Sequence, residues 1–195
     1  MKKNLFFIVA LIFLCGNAFS QGVSFGVKAG LSVSSQKFSS SGISVSPSAL
    51  VGFHGGVYLT AMLSEHLGIQ PELLYSGQGY KNGDATLHAN YIAIPILVRY
   101  NVNDLISFHA GPQLSLLASA KAKDPSGTTD VKDYYKSSDF GVAFGGTVDL
   151  PMGLNFTLRY ALGLSNVNKS TSAGDPTVKN GSLQVSVGYR LFGGK

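Results

Sequence analysis

The chain has 195 residues, a formal charge of +5 and one cysteine. Charged residues make up only 13% of it, against about 25% in ordinary soluble domains, so a surface wetted on all sides would be unusually poor in charge. No cluster of Lys and Arg with interleaved aromatics is present, which argues against nucleic acid as a partner.

Lys2 and Lys3 precede an apolar run from Leu5 to Leu14, and Ala18-Phe19-Ser20 supplies a small-x-small cleavage site before Gln21. A run of about ten apolar residues is too short to cross a bilayer as a helix. Residues 1–20 are therefore read as a cleaved export signal and residues 21–195 as one barrel domain. Cys15 falls inside the signal, and Leu14 stands where lipid attachment would want a small residue. Cleavage removes the only thiol, which excludes disulfides and thiolate metal sites from the mature chain.

From Gln21 onward, apolar residues recur at every second position. Val23, Phe25, Val27, Ala29, Leu31 and Val33 alternate with Ser24, Gly26, Lys28, Gly30 and Ser32; Leu183, Val185, Val187, Tyr189 and Leu191 repeat the pattern near the end. A period of two marks β-strands whose faces meet different surroundings. Eight strands are predicted, at 23–34, 49–63, 67–80, 89–101, 105–118, 139–150, 154–164 and 182–192. Hairpin-sized breaks (Ser64-Glu65-His66, Val102-Asn103-Asp104, Pro151-Met152-Gly153) alternate with long polar ones (35–48, 81–88, 119–138, 165–181), the latter expected to be disordered or mobile tips. An even strand count with this alternation describes an all-β, antiparallel, up-and-down transmembrane barrel of eight strands, its termini and short turns in the periplasm.

The outward face is assigned Val51, Phe53, Val57, Leu59, Ile69, Leu73, Tyr75, Ile92, Ile94, Ile96, Val98, Phe108, Leu114, Leu116, Phe140, Val142, Phe144, Val148, Phe156, Leu158, Tyr160 and Leu162. The opposite face carries His54, Gln70, His109 and Gln113 together with charged residues, glycine and serine. A soluble barrel of the lipocalin kind would reverse the environments. An apolar face almost free of charge, small residues on the other, and alternating loop lengths favour lipid outside. Pro71, Pro95 and Pro112 fall inside strands and are expected to mark bulges or bends.

Four segments carry a resemblance. Phe25-Gly26-Val27-Lys28-Ala29-Gly30-Leu31-Ser32, Ile69-Gln70-Pro71-Glu72-Leu73-Leu74-Tyr75-Ser76-Gly77, Tyr91-Ile92-Ala93-Ile94-Pro95-Ile96-Leu97-Val98-Arg99-Tyr100 and Phe108-His109-Ala110-Gly111-Pro112-Gln113-Leu114 resemble, in order, strands of the PorT-like outer-membrane β-barrel (porin) family of Bacteroidetes. That resemblance implies a small barrel of the OmpX/OmpA kind and makes the three prolines family features. Ala93 departs from the family's Glu or Asn before the Ile-Pro step. Phe192 departs too, since Gly193-Gly194-Lys195 follows it. The name-giving member acts in protein export, a role that fold does not transfer.

The candidate functional residues are the inward charges: Lys28, Glu72 and Arg159 near mid-height, and Arg99, Asp149 and Arg190 nearer the periplasm. An eight-stranded barrel has an interior just filled by side chains, so these groups are expected to pair as a plug; a gated ion path would use the same residues. No spacing of His54, His88 or His109 with serine and a carboxylate selects a catalytic triad, so no enzyme is expected. Asp124, Asp130 and Asp133 lack a calcium-loop spacing, and neither metal nor cofactor is expected. The expected partners are outer-membrane lipid and, through the long loops, other envelope or secretion-system proteins, with the chain a monomer. The function expected first is envelope structure or surface interaction through the long external loops; a narrow diffusion channel, a secretion accessory and a lipid-modifying enzyme are the other function classes.

Overall fold

The computed structural model describes residues 22–40, 43–170 and 175–193; the predicted export signal, with Cys15, lies outside them. In chain order the strands are β1 (Val23–Ser40), β2 (Ile43–Val45), β3 (Ser48–Met62), β4 (Leu67–Asn82), β5 (Ala85–Asn101), β6 (Ile106–Asp124), β7 (Gly127–Asp130), β8 (Ser138–Asp149), β9 (Leu154–Gly163) and β10 (Thr177–Phe192). One 3-10 turn, Lys132–Tyr134, follows β7. Eight of these strands pair antiparallel with their neighbours in the order β1, β3, β4, β5, β6, β8, β9, β10, and β10 pairs back onto β1 from Phe25↔Phe192 to Ser39↔Thr177. The ring is closed, so none of the eight has an open edge. The small strands β2 and β7 are hairpin arms on β1 and β6.

Alternation sets the faces. Leu31, Val51, Phe53, Phe108, Leu158 and Val185 stand outward, Val51 with 65% of its surface uncovered, while their neighbours Ser32, His54, His109, Arg159 and Ser186 point into the lumen and are buried. The greasy side of the sheet is therefore outside and the polar side inside, the inverse of a water-soluble barrel.

The long connections are more structured than predicted. β1 and β10 stay paired up to Ser39↔Thr177, β6 runs on to Asp124 and folds back as β7, and the span 81–88 is no loop. There the β4–β5 ladder continues through Lys81↔Thr86 and Asn82↔Ala85, leaving Gly83-Asp84 at the tip. Hydrophobic alternation fades where the strands leave the bilayer, because water then wets both faces, but hydrogen bonding between strands does not need it. Gly83 has φ +59, a left-handed conformation, and a Cβ there would meet no atom within 4 Å. Gly83→Val should therefore weaken only the hairpin tip, by about 1–2 kcal/mol of backbone strain, seen as faster amide exchange at Lys81 and Thr86 with the melting of the whole barrel unchanged.

The prolines correct a second expectation. None produces a bulge: the β4–β5 register is the same before and after Pro71, the β5–β6 register the same on both sides of Pro95 and Pro112, and the β6–β8 ladder runs through Pro112↔Val142 without a break. Irregularities lie elsewhere, at Phe25/Gly26, Ala49/His54 and Asn90/Tyr91. In an antiparallel strand each backbone N–H aims at one neighbour only, so a proline removes a bond on one side and leaves the other pairing intact.

Candidate functional site: a polar column in the lumen

At mid-height the lumen is crossed by charge. Glu72 on β4 faces Arg159 on β9, the diametrically opposite strand of the ring, and the two form a fork: Arg159 Nη1 donates to Glu72 Oε2 at 2.7 Å and Nη2 to Oε1 at 2.8 Å. Lys28 on β1 donates its Nζ to Glu72 Oε1 at 2.9 Å, and Arg159 Nε donates to His109 Nε2 on β6 at 3.1 Å. β1, β4, β6 and β9 are alternate members of the ring, so one layer of side chains reaches inward from four directions. The Glu72 side chain has no exposed surface, and those of Lys28 and Arg159 are 3% and 2% exposed. An unpaired charge so placed would be strongly disfavoured; this carboxylate is held by two cations and by Gln70 Nε2 at 2.6 Å. The Lys28 ammonium also stands 5.2 Å from the centre of the Tyr58 ring, close enough for a cation–π attraction.

Gln70 links this layer to the one below. Its Oε1 accepts from Thr60 Oγ1 at 3.2 Å and from Arg99 Nη1 at 3.0 Å, while Arg99 Nη2 pairs with Asp149 and Nε donates to Asn101 at 3.0 Å. Lys28, Glu72, Arg99, Asp149 and Arg159 thus form one connected network. Arg190 does not join it. It is half-buried and makes no ion pair among the described residues; it lines a vestibule of about 1030 Å³ at the short-turn end, beside Ser24, Tyr58, Arg99, Asn101 and Asn155.

A third layer closes the opposite end. Asn180 on β10 donates Nδ2 to Asp139 at 2.8 Å and to the hydroxyl of Tyr91, across the ring on β5, at 3.3 Å, and accepts from Gln36 Nε2 at 2.9 Å. Ser165 Oγ donates to Asp139 at 2.7 Å. Above them Tyr135, from the connection after β7, turns inward: its hydroxyl donates to Gln36 Oε1 at 3.5 Å, and its ring packs with Val131 on buried Ala89, Tyr91, Leu117 and Ala120. Burial, with the Tyr80 hydroxyl beside it, pushes the Tyr135 phenol above its ordinary pKa. Backbone bonds from Lys136 N to Val167 O (2.8 Å) and from Lys169 N to Tyr134 O (3.0 Å) join this connection to the one before β10.

Sequence reading missed the third layer. Asp139 and Asn180 have inward parity but sit at the margins of predicted strands or beyond them, and nothing periodic marks Tyr135. Of the histidines considered for catalysis, His54 contacts Ser186, Nε2 to Oγ at 2.7 Å, and its buried Nδ1 has no partner; His109 is taken by Arg159, and His88 is exposed on β5. Asp124 caps the β6–β7 turn, accepting from Ser126 N at 2.9 Å and Gly127 N at 3.0 Å, and Asp130 accepts from Lys132 N at 2.9 Å.

Among solved structures, this chain is similar to neisserial surface protein A, with 17% identity over 88% of this chain and 100% of that one and a TM-score of 0.57. It is also similar to Ail, the attachment invasion locus protein of Yersinia pestis, with 13% identity, 88% and 99% coverage and a TM-score of 0.53. At such identities the likeness speaks for the fold alone. No curated protein matches the chain. Residues 19–169 match the family model described as outer membrane protein beta-barrel domain. The closed eight-strand ring, the apolar exterior and the polar lumen agree with that description, and the chain belongs to this family as a β-barrel protein of the outer membrane.

Proposed function

We propose that this barrel is closed to ions and serves the envelope as a rigid carrier of extracellular surface, meeting other molecules through the strand extensions and connections beyond the bilayer. The observation that supports this reading most directly is the Glu72–Arg159 fork across the ring's diameter, with Lys28 and His109 filling the same layer. Groups so fully bonded to one another have no capacity left to replace the water of a passing ion. The layer under Tyr135 adds a second barrier, and the residues that line the vestibule belong to the short-turn end and do not include Lys28, Glu72 or Arg159. In this reading Arg190 solvates the vestibule, and the His54–Ser186 pair is packing, since no carboxylate orients the histidine. The partners in view are outer-membrane lipid and envelope or secretion-system proteins. The PorT-like resemblance of β1, β4, β5 and β6 is the only argument for a secretion partner.

Planar bilayers test the proposal. The purified protein should give no discrete conductance steps in 1 M potassium chloride (about seven times physiological ionic strength). Discrete anion-selective steps, altered by Arg99→Ala with Arg190→Ala, would overturn it in favour of a narrow channel.

A further inference from the structure

Charge is unevenly distributed around the barrel. Of the ten acidic residues in the sequence, only Asp175 lies outside the span 65–149. The arc formed by β9, β10, β1 and β3 is therefore nearly free of carboxylates, yet it holds Lys37 and Lys179 on the outward face, both exposed. The two are register partners on the β1–β10 seam. Directly opposed residues of neighbouring strands have Cβ atoms about 4.5–5.5 Å apart, and like charges there repel. Neither lysine forms an ion pair or a side-chain hydrogen bond among the described residues. A pair so placed calls for an anion from outside the chain.

Its surroundings say what kind. Beneath the lysines on the same outward face come Ser35↔Gly181, then Val33↔Leu183, Leu31↔Val185 and Ala29↔Val187, an unbroken apolar strip into the bilayer. Four residue steps along the strand separate the lysines from Val33 and Leu183, about 13 Å along the strand and about 9 Å along the membrane normal at the usual tilt, which is headgroup level. Gly181 leaves a notch below the lysines. The Tyr160 hydroxyl reaches into it, standing 2.9 Å from where a Cβ at position 181 would lie, and makes no hydrogen bond within the described residues. Two ammonium groups, a hydroxyl donor and an apolar strip below match one amphiphile. We propose that the β1–β10 seam binds a lipid whose headgroup carries two phosphates, the phosphates on Lys37 and Lys179, Tyr160 donating to one of them, and the acyl chains along Val33, Leu183 and Val185.

The test uses the full chain in phosphatidylcholine nanodiscs doped with diphosphoryl lipid A or its monophosphoryl form, and counts lipid retained per barrel by native mass spectrometry. The diphosphoryl lipid should be retained over the monophosphoryl one, and K37Q and K179Q should each weaken retention about fivefold. Y160F should weaken it less, and K121Q/K123Q on β6 should not change it. In undoped phosphatidylcholine K37Q/K179Q should be at least as stable as the native chain, because it relieves a repulsion. Retention unchanged in K37Q/K179Q, or lost equally in K121Q/K123Q, overturns the site. Displacement of the lipid by inorganic pyrophosphate at equal concentration overturns the lipid as its ligand.

Discussion

Glu72→Gln is expected to lower the free energy of unfolding by about 3–5 kcal/mol, the usual effect of removing one partner from a buried ion cluster. The variant keeps the shape of the side chain and removes only its charge. Lys28 and Arg159 then remain buried together, with no carboxylate between them. Lys28→Met should behave quite differently. It removes the surplus cation and leaves Glu72 with its two bonds from Arg159 and one from Gln70, so stability should stay within about 1 kcal/mol of the native chain. Combining the two substitutions should restore part of what Glu72→Gln loses, since one buried cation is easier to accommodate than two. Urea unfolding from lipid vesicles, followed by heat-modifiable electrophoretic mobility, measures all three. An equal loss for the two single variants would show that the layer is hydrated enough to ignore its charge balance.

Val187→Arg is expected to destabilise the barrel by about 2–4 kcal/mol in a bilayer, whereas Leu191→Arg at the periplasmic end of the same strand should cost about 0–1 kcal/mol. Val187 lies midway along the outward apolar row Leu183, Val185, Val187, Tyr189, Leu191 of β10 and is 47% uncovered by protein. If that face meets hydrocarbon, the penalty must depend on depth, because a guanidinium near the interface can reach the headgroups and one at the midplane cannot. A penalty independent of position would mean that lipid does not bathe this face. The same urea titration reads both variants, and neither substitution touches the luminal network.

Residue order along the chain is enough to give the class of fold, the two faces of every barrel strand and the inward residues at mid-height. The reason is physical: a bilayer outside and a confined lumen inside impose opposite demands on alternate residues, so parity alone sorted Lys28, Glu72 and Arg159 from Val27, Leu73 and Leu158. Parity says nothing about distance across a ring. Only tertiary structure brought Glu72 opposite Arg159, because their separation of 87 positions becomes a contact once eight strands close on themselves. It also separated Arg190 from the network its parity suggested, left it at the vestibule, and brought Lys37 against Lys179, a pairing that exists only through ring closure. Beyond the bilayer the alternation signal ends, since water on both sides no longer selects residues by face. There the strands continue chiefly on backbone hydrogen bonds, with side-chain contacts such as the Phe38–Tyr80 ring pair added, and Tyr135 turns inward for reasons of packing that no local pattern records.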